Sequence, residues 1–158
     1  FIDDSARAAV IVINKFDLAK ELGINRSDAV EAVRNRFQFI PNVPVVLTSA
    51  LTGSGIDKLI PTILDVYEEF SKQMPRSEVS RVIFDAMGEN PLPGIGSQRP
   101  RIYRCIQTRN SPPTFEFTAR NPELIHFSYR RYLENQLRNA FGFLGSPLRM
   151  TFKTRENE

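Results

Sequence analysis

An uninterrupted apolar run, AAVIVI at residues 8–13, is the feature that most restricts the fold of this chain. Six apolar residues without alternation predict a strand buried on both faces, as in a parallel sheet covered by helices. The run ends abruptly in Asn14, Lys15, Phe16 and Asp17. An ordinary surface turn does not require an amide, an ammonium group and a carboxylate in this order, so the end of the strand is a candidate functional site.

The residues that follow repeat the alternation of strand and helix. Apolar residues at helical spacing predict a helix over 27–37, and a short strand is predicted over 43–49. A second apolar helical pattern runs over 56–70. Pro61 lies within it and is expected to kink the helix or to delay its start. Strand–helix–strand–helix is the order of an α/β sheet.

The second half of the chain has a different order of elements. A proline-containing stretch, SKQMPRS, marks a boundary, which we place after residue 73. An amphipathic helix, two strands joined by RNSPP, a longer helix over 128–141 and a last strand, LRMTFKT, follow it. This α-β-β-α-β order predicts a small α+β domain. We therefore expect an α/β domain over 1–73 and an α+β domain over 74–158.

The composition excludes several classes of protein. No apolar run approaches the roughly 20 residues of a membrane-spanning helix, and the opening FIDDSARAA is too polar for a signal peptide. One cysteine and one histidine cannot build a Cys/His zinc site, so no metal site is expected. The chain begins with Phe1 rather than Met, which suggests a part of a longer protein.

Positive charge is concentrated in the second half of the chain. The net charge is +3, yet residues 98–155 contain eleven basic and three acidic residues, and ten of the eleven are Arg. This asymmetry predicts that the second domain faces an anionic partner. A solvated basic surface without a partner is the alternative.

The two strand ends of the first half have the chemistry that a guanine base requires. Ligands bind at the carboxyl ends of strands in open α/β sheets, and Ser49, Ala50 and Leu51 end the second strand. The carboxylate of Asp17 can accept both the N1–H and the N2–H of guanine, and a backbone N–H such as that of Ala50 can donate to O6. The stem of Lys15 can cover the ring, and Asn14 can tie the two loops together.

These residues resemble the base-reading boxes of P-loop GTPases, with NKFD as the guanine-specificity box and SAL as the last base-contacting box. The resemblance implies GTP or GDP as the ligand of Asn14, Lys15, Phe16, Asp17, Ser49, Ala50 and Leu51. No G-x-x-x-x-G-K-[ST] occurs in the chain, and its one Asp-x-x-Gly, at residues 85–88, lies within the predicted amphipathic helix rather than at the end of a strand, where the magnesium box is found. Phosphate and magnesium binding are therefore expected in a missing part, no catalytic residue is named, and the chain alone is expected not to hydrolyse GTP.

Three further segments, RIYRCIQ, PPTFEF and NPELIHFSYRRYLENQLRNAFGFLGSPLRMTFK, resemble the C-terminal domain of the Der (EngA) GTPases. The resemblance implies the back half of the second of two tandem GTPase domains, followed by a KH-like domain. It also implies a cytoplasmic role, in a bacterium or an organelle of bacterial origin, in the maturation of the large ribosomal subunit and its rRNA. The expected partners are that subunit and the missing GTPase domains, and no membrane.

The G-x-x-G loop that RNA-binding KH domains use is not evident. Residues 142–145 spell GFLG, but they follow a helix and precede the last strand, so we interpret them as a helix C-cap and turn. RNA contact would then depend on basic side chains, namely Arg101, Arg104, Arg130, Arg131, Arg138, Arg149 and Lys153. A helical ion pair of Arg130 with Glu134 is an alternative role for one of them. A non-enzymatic RNA-binding module and an Era-type KH GTPase are the competing functional hypotheses.

Overall fold

The structure, a computed structural model, describes residues 6–37, 42–94 and 99–155. These residues form two compact units. Unit 1 extends to Phe70 and also includes Leu144–Pro147, whereas unit 2 comprises Ser71–Phe143 and the chain from Leu148 on. The sequence placed the boundary after residue 73, and it contained no sign that a later segment belongs to the first unit.

Unit 1 has the strand–helix alternation of an α/β fold. Its elements are β1 (Ile11–Ile13), a 3-10 turn (Phe16–Ala19), α1 (Arg26–Arg36), β2 (Val45–Leu47) and α2 (Ile56–Ser71). The two strands pair in parallel, with Ile11 opposite Val45. This pairing brings the carboxyl ends of both strands to one edge, which is where the sequence placed the candidate site.

Strand β1 is less buried than its apolar sequence predicts. Val12, at the centre of the strand, is 43% exposed. The prediction of a strand buried on both faces is therefore wrong for the described structure. The physical reason is that the described residues of unit 1 form a sheet of only two three-residue strands, and they supply no layer over this side of β1.

Helix α2 begins before its proline and leaves much of its apolar surface exposed. Pro61 is the sixth residue of the helix, so the helix start is not delayed. Among its apolar side chains Val66 is buried, whereas Ile60 is 60% and Leu64 is 55% exposed. Unit 1 thus presents more apolar surface than a self-contained domain of its size normally does.

Unit 2 has the α-β-β-α-β order that the sequence predicts. Its elements are α3 (Arg76–Glu89), β3 (Arg101–Asn110), β4 (Pro113–Arg120), a 3-10 turn (Pro122–Leu124), α4 (Phe127–Phe141) and β5 (Arg149–Thr154). The sheet order is β3-β4-β5, with β3 antiparallel and β5 parallel to β4. The predicted fold class, a partial α/β sheet followed by a small α+β domain, is confirmed.

The two helices of unit 2 cover one face of its sheet. Alternate residues of β4, from Phe115 to Ala119, are fully buried against α3 and α4 and form the core with Val79, Ile83, Leu133 and Leu137. The opposite face holds the intervening residues, because successive side chains of a strand point to opposite sides. We call this second side the outer sheet face, and Thr114, Glu116, Thr118 and Arg120 of β4 define its centre.

The turn after α4 is packed rather than open. Gly142 is the C-cap of the helix, as predicted, with φ 89° and ψ −92°, and Phe143 is fully buried against Phe115. Gly145 lies within unit 1, where its carbonyl accepts the N–H of Ala9 at 2.9 Å. Residues 142–145 therefore do not form an exposed nucleic-acid clamp.

Candidate functional site

Asn14 connects the two strand-end loops of unit 1. Its Oδ1 atom accepts the backbone N–H of Ala50 at 3.1 Å and the hydroxyl of Thr48 at 3.3 Å. A second link lies beside it, because the N–H of Phe16 donates to the carbonyl of Thr48 at 2.9 Å. The structure thus brings the NKFD and SAL segments together, as the sequence predicts for Asn14.

Lys15 adopts a left-handed backbone conformation, with φ 61° and ψ 32°. Such a conformation is uncommon for a residue other than glycine, and residues held in sparsely populated regions cluster at functional sites. Immediately after it, the chain enters the 3-10 turn that carries Asp17. The backbone angle of Lys15, which no sequence pattern predicted, therefore sets the direction in which the side chains of this loop leave the strand.

The side chains at this edge divide into exposed and buried groups. Lys15, Asp17, Ala50 and Leu51 are exposed, and Leu51 is 86% exposed. Ser49 is buried, and its hydroxyl accepts the N–H of Thr52 at 3.3 Å. Ser49 therefore shapes the second loop from inside, whereas the exposed residues form an open edge.

The backbone N–H of Ala50 already has an acceptor within the site. The sequence offered this N–H as one possible donor to a guanine O6, and in the structure it donates to Asn14. Within the described residues the neighbouring N–H of Leu51 has no acceptor. Because Asn14 uses its oxygen on Thr48 and Ala50, its NH₂ group is the part of the amide that remains as a donor.

The basic residues that the sequence proposed for RNA contact lie in different parts of unit 2, and four of the seven share one face. Arg101, Arg104, Arg149 and Lys153 are exposed on the strands of unit 2, and the strand register places all four on the outer sheet face. Arg131 is exposed on α4, away from that face. Lys153 forms an ion pair with Glu116 at 2.6 Å.

Two of the proposed RNA contacts are committed to structural roles. Arg130 donates to the carbonyls of Ile125 and Pro122, both at 3.0 Å, and its guanidinium lies over the ring of Phe152. Arg138 is buried and pairs with Glu134 at 2.9 Å. The alternative pairing of Arg130 with Glu134 is therefore not the one formed, because Arg138 takes that carboxylate.

Comparison with known families identifies the second half of the chain. Residues 73–153 match the profile described as the KH-domain-like region of EngA bacterial GTPase enzymes, C-terminal. The chain belongs to the EngA (Der) family of bacterial GTPases. The family that the sequence resembled is thereby confirmed.

Individual Der relatives match almost the whole chain. GTPase Der of Desulforudis audaxviator is 36% identical over 156 residues, which cover 99% of this chain and 36% of the relative. GTPase Der of Moorella thermoacetica is 39% identical over 150 residues, covering 95% of this chain and 34% of the relative. The chain thus spans about a third of the length of these curated relatives.

One solved structure is a more distant match. A variant of Aquifex aeolicus Era bound to GDP·AlF4⁻ is 19% identical and aligns with 92% of this chain and 54% of its own, at a TM-score of 0.29. This score is too low to support any assignment by superposition. The Der family assignment therefore depends on the sequence matches.

Sequence reasoning missed part of the basic surface of this Der-family chain. The outer sheet face also carries Arg109, Arg120 and Arg155, which brings its basic residues to seven, namely Arg101, Arg104, Arg109, Arg120, Arg149, Lys153 and Arg155. On the described strands Glu116 is the one acidic residue of this face. The alternation of β4 and the positions of Arg120 and Arg155 at strand ends were the available signals.

The remaining reactive side chains are local structural groups. His126 caps α4, with Nδ1 accepting the N–H of Ser128 at 3.3 Å, and Cys105 is fully buried, which raises the pKa of its thiol. Among the described residues no group of His, Cys, Asp and Glu is placed to hold a metal ion. In the same part of the chain, none of the helices has the length and apolar character needed to cross a bilayer.

Proposed function

We propose that unit 1 supplies the guanine-reading part of a longer GTPase. The observation that carries the proposal is the pair of loops tied by Asn14, in which Asp17 is exposed and the N–H of Leu51 has no acceptor among the described residues. The carboxylate of Asp17 would accept the N1–H and N2–H of guanine, and the N–H of Leu51, or that of Ala50 shared with Asn14, would donate to O6. Phosphates and magnesium would be bound by a part of the protein outside this chain.

The exposed apolar surface of unit 1 supports this proposal. Val12 of β1 and Ile60 and Leu64 of α2 are at least 43% exposed. Apolar surface of this kind is expected where a sheet continues into strands and helices that the described residues do not include. We therefore expect the isolated 158-residue chain not to hydrolyse GTP.

The substitution Asp17→Asn tests base recognition in the full-length protein. An amide can donate to the 2-carbonyl of xanthine, whereas it cannot accept both donors of guanine. We expect guanine nucleotide affinity to fall by about tenfold to a hundredfold and xanthine nucleotide affinity to rise, because each lost hydrogen bond costs about 1–3 kcal/mol. Nucleotide titration by calorimetry measures both affinities.

Asp65→Asn is the matched control, since Asp65 is an exposed carboxylate on α2 that lies outside the two loops. This variant should retain the guanine preference of the parent. If Asp17→Asn also retains it, the assignment of Asp17 to the base is wrong.

The proposed cellular role is assembly of the large ribosomal subunit. The family resemblance supports this role, and we propose the cytoplasm as the location, where the partners would be the subunit and its rRNA. Unit 2 would provide the contact with RNA or protein, and the nucleotide state of the GTPase part would control that contact. Accumulation of immature large subunits in cells that carry Asp17→Asn would support this role, and a normal subunit profile would oppose it.

A further inference from the structure

The outer sheet face of unit 2 is an uncompensated basic surface. Its seven basic residues face one acidic residue, Glu116, whose carboxylate is already paired with Lys153. Within the described chain the other six form no ion pair. A solvated face normally mixes both signs of charge, so the composition of this face requires a separate explanation.

The strand register makes the arrangement electrostatically unfavourable. Arg101 of β3 lies directly opposite Arg120 of β4, and like charges in opposite positions destabilise a sheet. Arg155 extends the same row, because its N–H donates to the carbonyl of Ala119 at 2.9 Å. Three guanidinium groups thus occupy adjacent positions, and local conflicts that a fold retains are expected at functional sites.

An aromatic ring lies within this row of arginines. The guanidinium carbons of Arg101 and Arg155 are 5.4 and 4.8 Å from the ring centre of Tyr103. Arg155 therefore reaches across β4 to a ring on β3. Tyr103 occupies an irregularity of β3 between Ile102 and Arg104, where the strand inserts an extra residue. The irregularity allows Tyr103 and Arg104 to lie on the same side as Arg101.

We propose that the outer sheet face binds RNA through its phosphate backbone. This proposal specifies which surface of unit 2 makes the RNA contact, and it rests on the proposed function. Six of the seven basic residues are Arg, whose planar guanidinium binds phosphate oxygens bidentately and stacks on bases. A row of Arg groups beside an aromatic ring is the chemistry of sequence-independent single-strand binding. The occupant is RNA rather than an acidic protein, because Thr114, Glu116 and Thr118 at the centre of the face are polar, whereas the core of a protein interface is apolar.

The outer sheet face is a different surface from the G-x-x-G loop through which KH domains bind RNA. The 142–145 segment is not available, since Phe143 and Gly145 are buried. The helix residues Arg130 and Arg138 are committed to carbonyl groups and to Glu134. The sheet side of unit 2, rather than its helical side, is therefore the surface that offers a group of cations without anionic partners.

The proposal is tested by measuring RNA affinity with the full 158-residue chain. A labelled single-stranded RNA of about twenty nucleotides is titrated with the protein, and its fluorescence anisotropy is recorded. In the first variant Arg120 and Arg155 are both replaced by Gln, and in the second Arg104 and Arg149 are. We expect each variant to bind several-fold more weakly. The slope of log K against log salt should become shallower by about 1.4, since each phosphate contact to a single strand contributes about 0.7. The side chains of Arg104 and Arg149 form no hydrogen bond or ion pair in the described chain, so the second variant should unfold at the same temperature as the parent.

The matched control replaces Arg81 and Arg131 by Gln. Both are exposed on helices α3 and α4, and their removal changes the net charge by the same amount. The control should bind RNA like the parent.

Three results would overturn the proposal. The first is a control that loses as much affinity for RNA as the outer-face variants, which would show that binding depends only on overall charge. The second is unchanged RNA affinity in the outer-face variants. A parent chain that does not bind RNA even at low salt would leave an acidic protein as the partner. None of these results affects the nucleotide preference measured with Asp17→Asn, so failure here and failure of the guanine assignment are distinguishable.

Discussion

Two glycines in one turn of unit 1 have similar backbone angles but different surroundings. Gly53 and Gly55 have φ values of 78° and 74°, which a side chain disfavours. A Cβ atom on Gly53 would meet nothing within 4 Å, whereas one on Gly55 would collide with the carbonyl oxygen of Leu47. Gly55 thus permits the close approach of this turn to the end of β2, directly behind the SAL loop.

Replacing each glycine by Ala separates conformational strain from steric overlap. Gly53→Ala should cost about 1–2 kcal/mol of stability, the penalty for a left-handed residue other than glycine. Gly55→Ala should cost about 1–3 kcal/mol more, because Leu47 must move. Urea denaturation, with a probe in unit 1, measures the difference. Equal losses for the two variants would show that the contact with Leu47 is unimportant.

For single residues, the sequence predicted hydrogen-bonding roles better than backbone angles and burial. Residue types at strand ends were sufficient to propose Asp17 and to predict that Asn14 ties the loops, because donors and acceptors are properties of the side chain itself. The left-handed Lys15 and the burial of Arg138 depend on tertiary packing, which a single sequence does not display. For the same reason the sequence offered Arg130 as an alternative partner of Glu134, whereas Arg138 forms that ion pair.

At the scale of elements, strand β3 holds the start of unit 2 through one side chain. The amide of Gln107 donates to the carbonyl of Lys72 at 2.8 Å, and its oxygen accepts the N–H of Met74 at 2.7 Å. Both bonds lie in the proline-marked stretch before α3. This one side chain thus fixes the segment before α3 to strand β3 through two backbone groups.

Replacing Gln107 by Leu should destabilise unit 2 by about 1–3 kcal/mol, because the N–H of Met74 loses its acceptor in a partly buried position. The same change should accelerate hydrogen exchange of the Met74 amide, while amides in the middle of β4 keep their protection. Thr108→Ala is the control, since Thr108 is exposed and makes one long hydrogen bond of 3.4 Å. Unchanged exchange at Met74 would contradict the role of Gln107.

Element order was predictable, whereas element burial was not. Period and turn residues predicted the parallel strands of unit 1 and the α-β-β-α-β order of unit 2, since both are local properties. The burial of β1 depends on which other strands are present, and the same apolar run is half-exposed where the sheet has two strands. The outer sheet face likewise appears only when the register aligns bases from three strands.

At the scale of the whole molecule, a buried thiol and a buried phenol make the free energy of unfolding depend on pH in the alkaline range. Burial raises the pKa of Cys105 from its ordinary value of 9.0, and burial, with the charge of Tyr132 second, raises the pKa of Tyr129 to about 12. The hydroxyl of Tyr129 also donates to the carbonyl of Asn90 at 2.6 Å. In both cases the folded state holds a proton that the unfolded chain releases earlier.

The sign of the effect follows from this difference in proton binding. Below pH 9 both groups are protonated in either state, and stability does not depend on them. As the pH rises above 9 the unfolded chain releases the thiol proton first, and from pH 10 to 12 the phenol proton, so the free energy of unfolding falls. In the variant Cys105→Val the fall should begin near pH 10 instead of pH 9. Denaturation at stepped pH values measures this onset, and an unchanged onset would contradict it.

The discontinuity of unit 1 has a consequence for biosynthesis. A ribosome releases the chain from its first residue onward, yet unit 1 includes Leu144–Pro147, and the unit 2 sheet needs β5 at Arg149–Thr154. Gly145 pairs with Ala9 and with Asn42, residues made long before it. Neither unit can therefore close before residues 144–154 have been synthesised. Both units are completed within the same short interval of translation, and a polypeptide truncated before residue 144 would have two unfinished units rather than one finished and one absent.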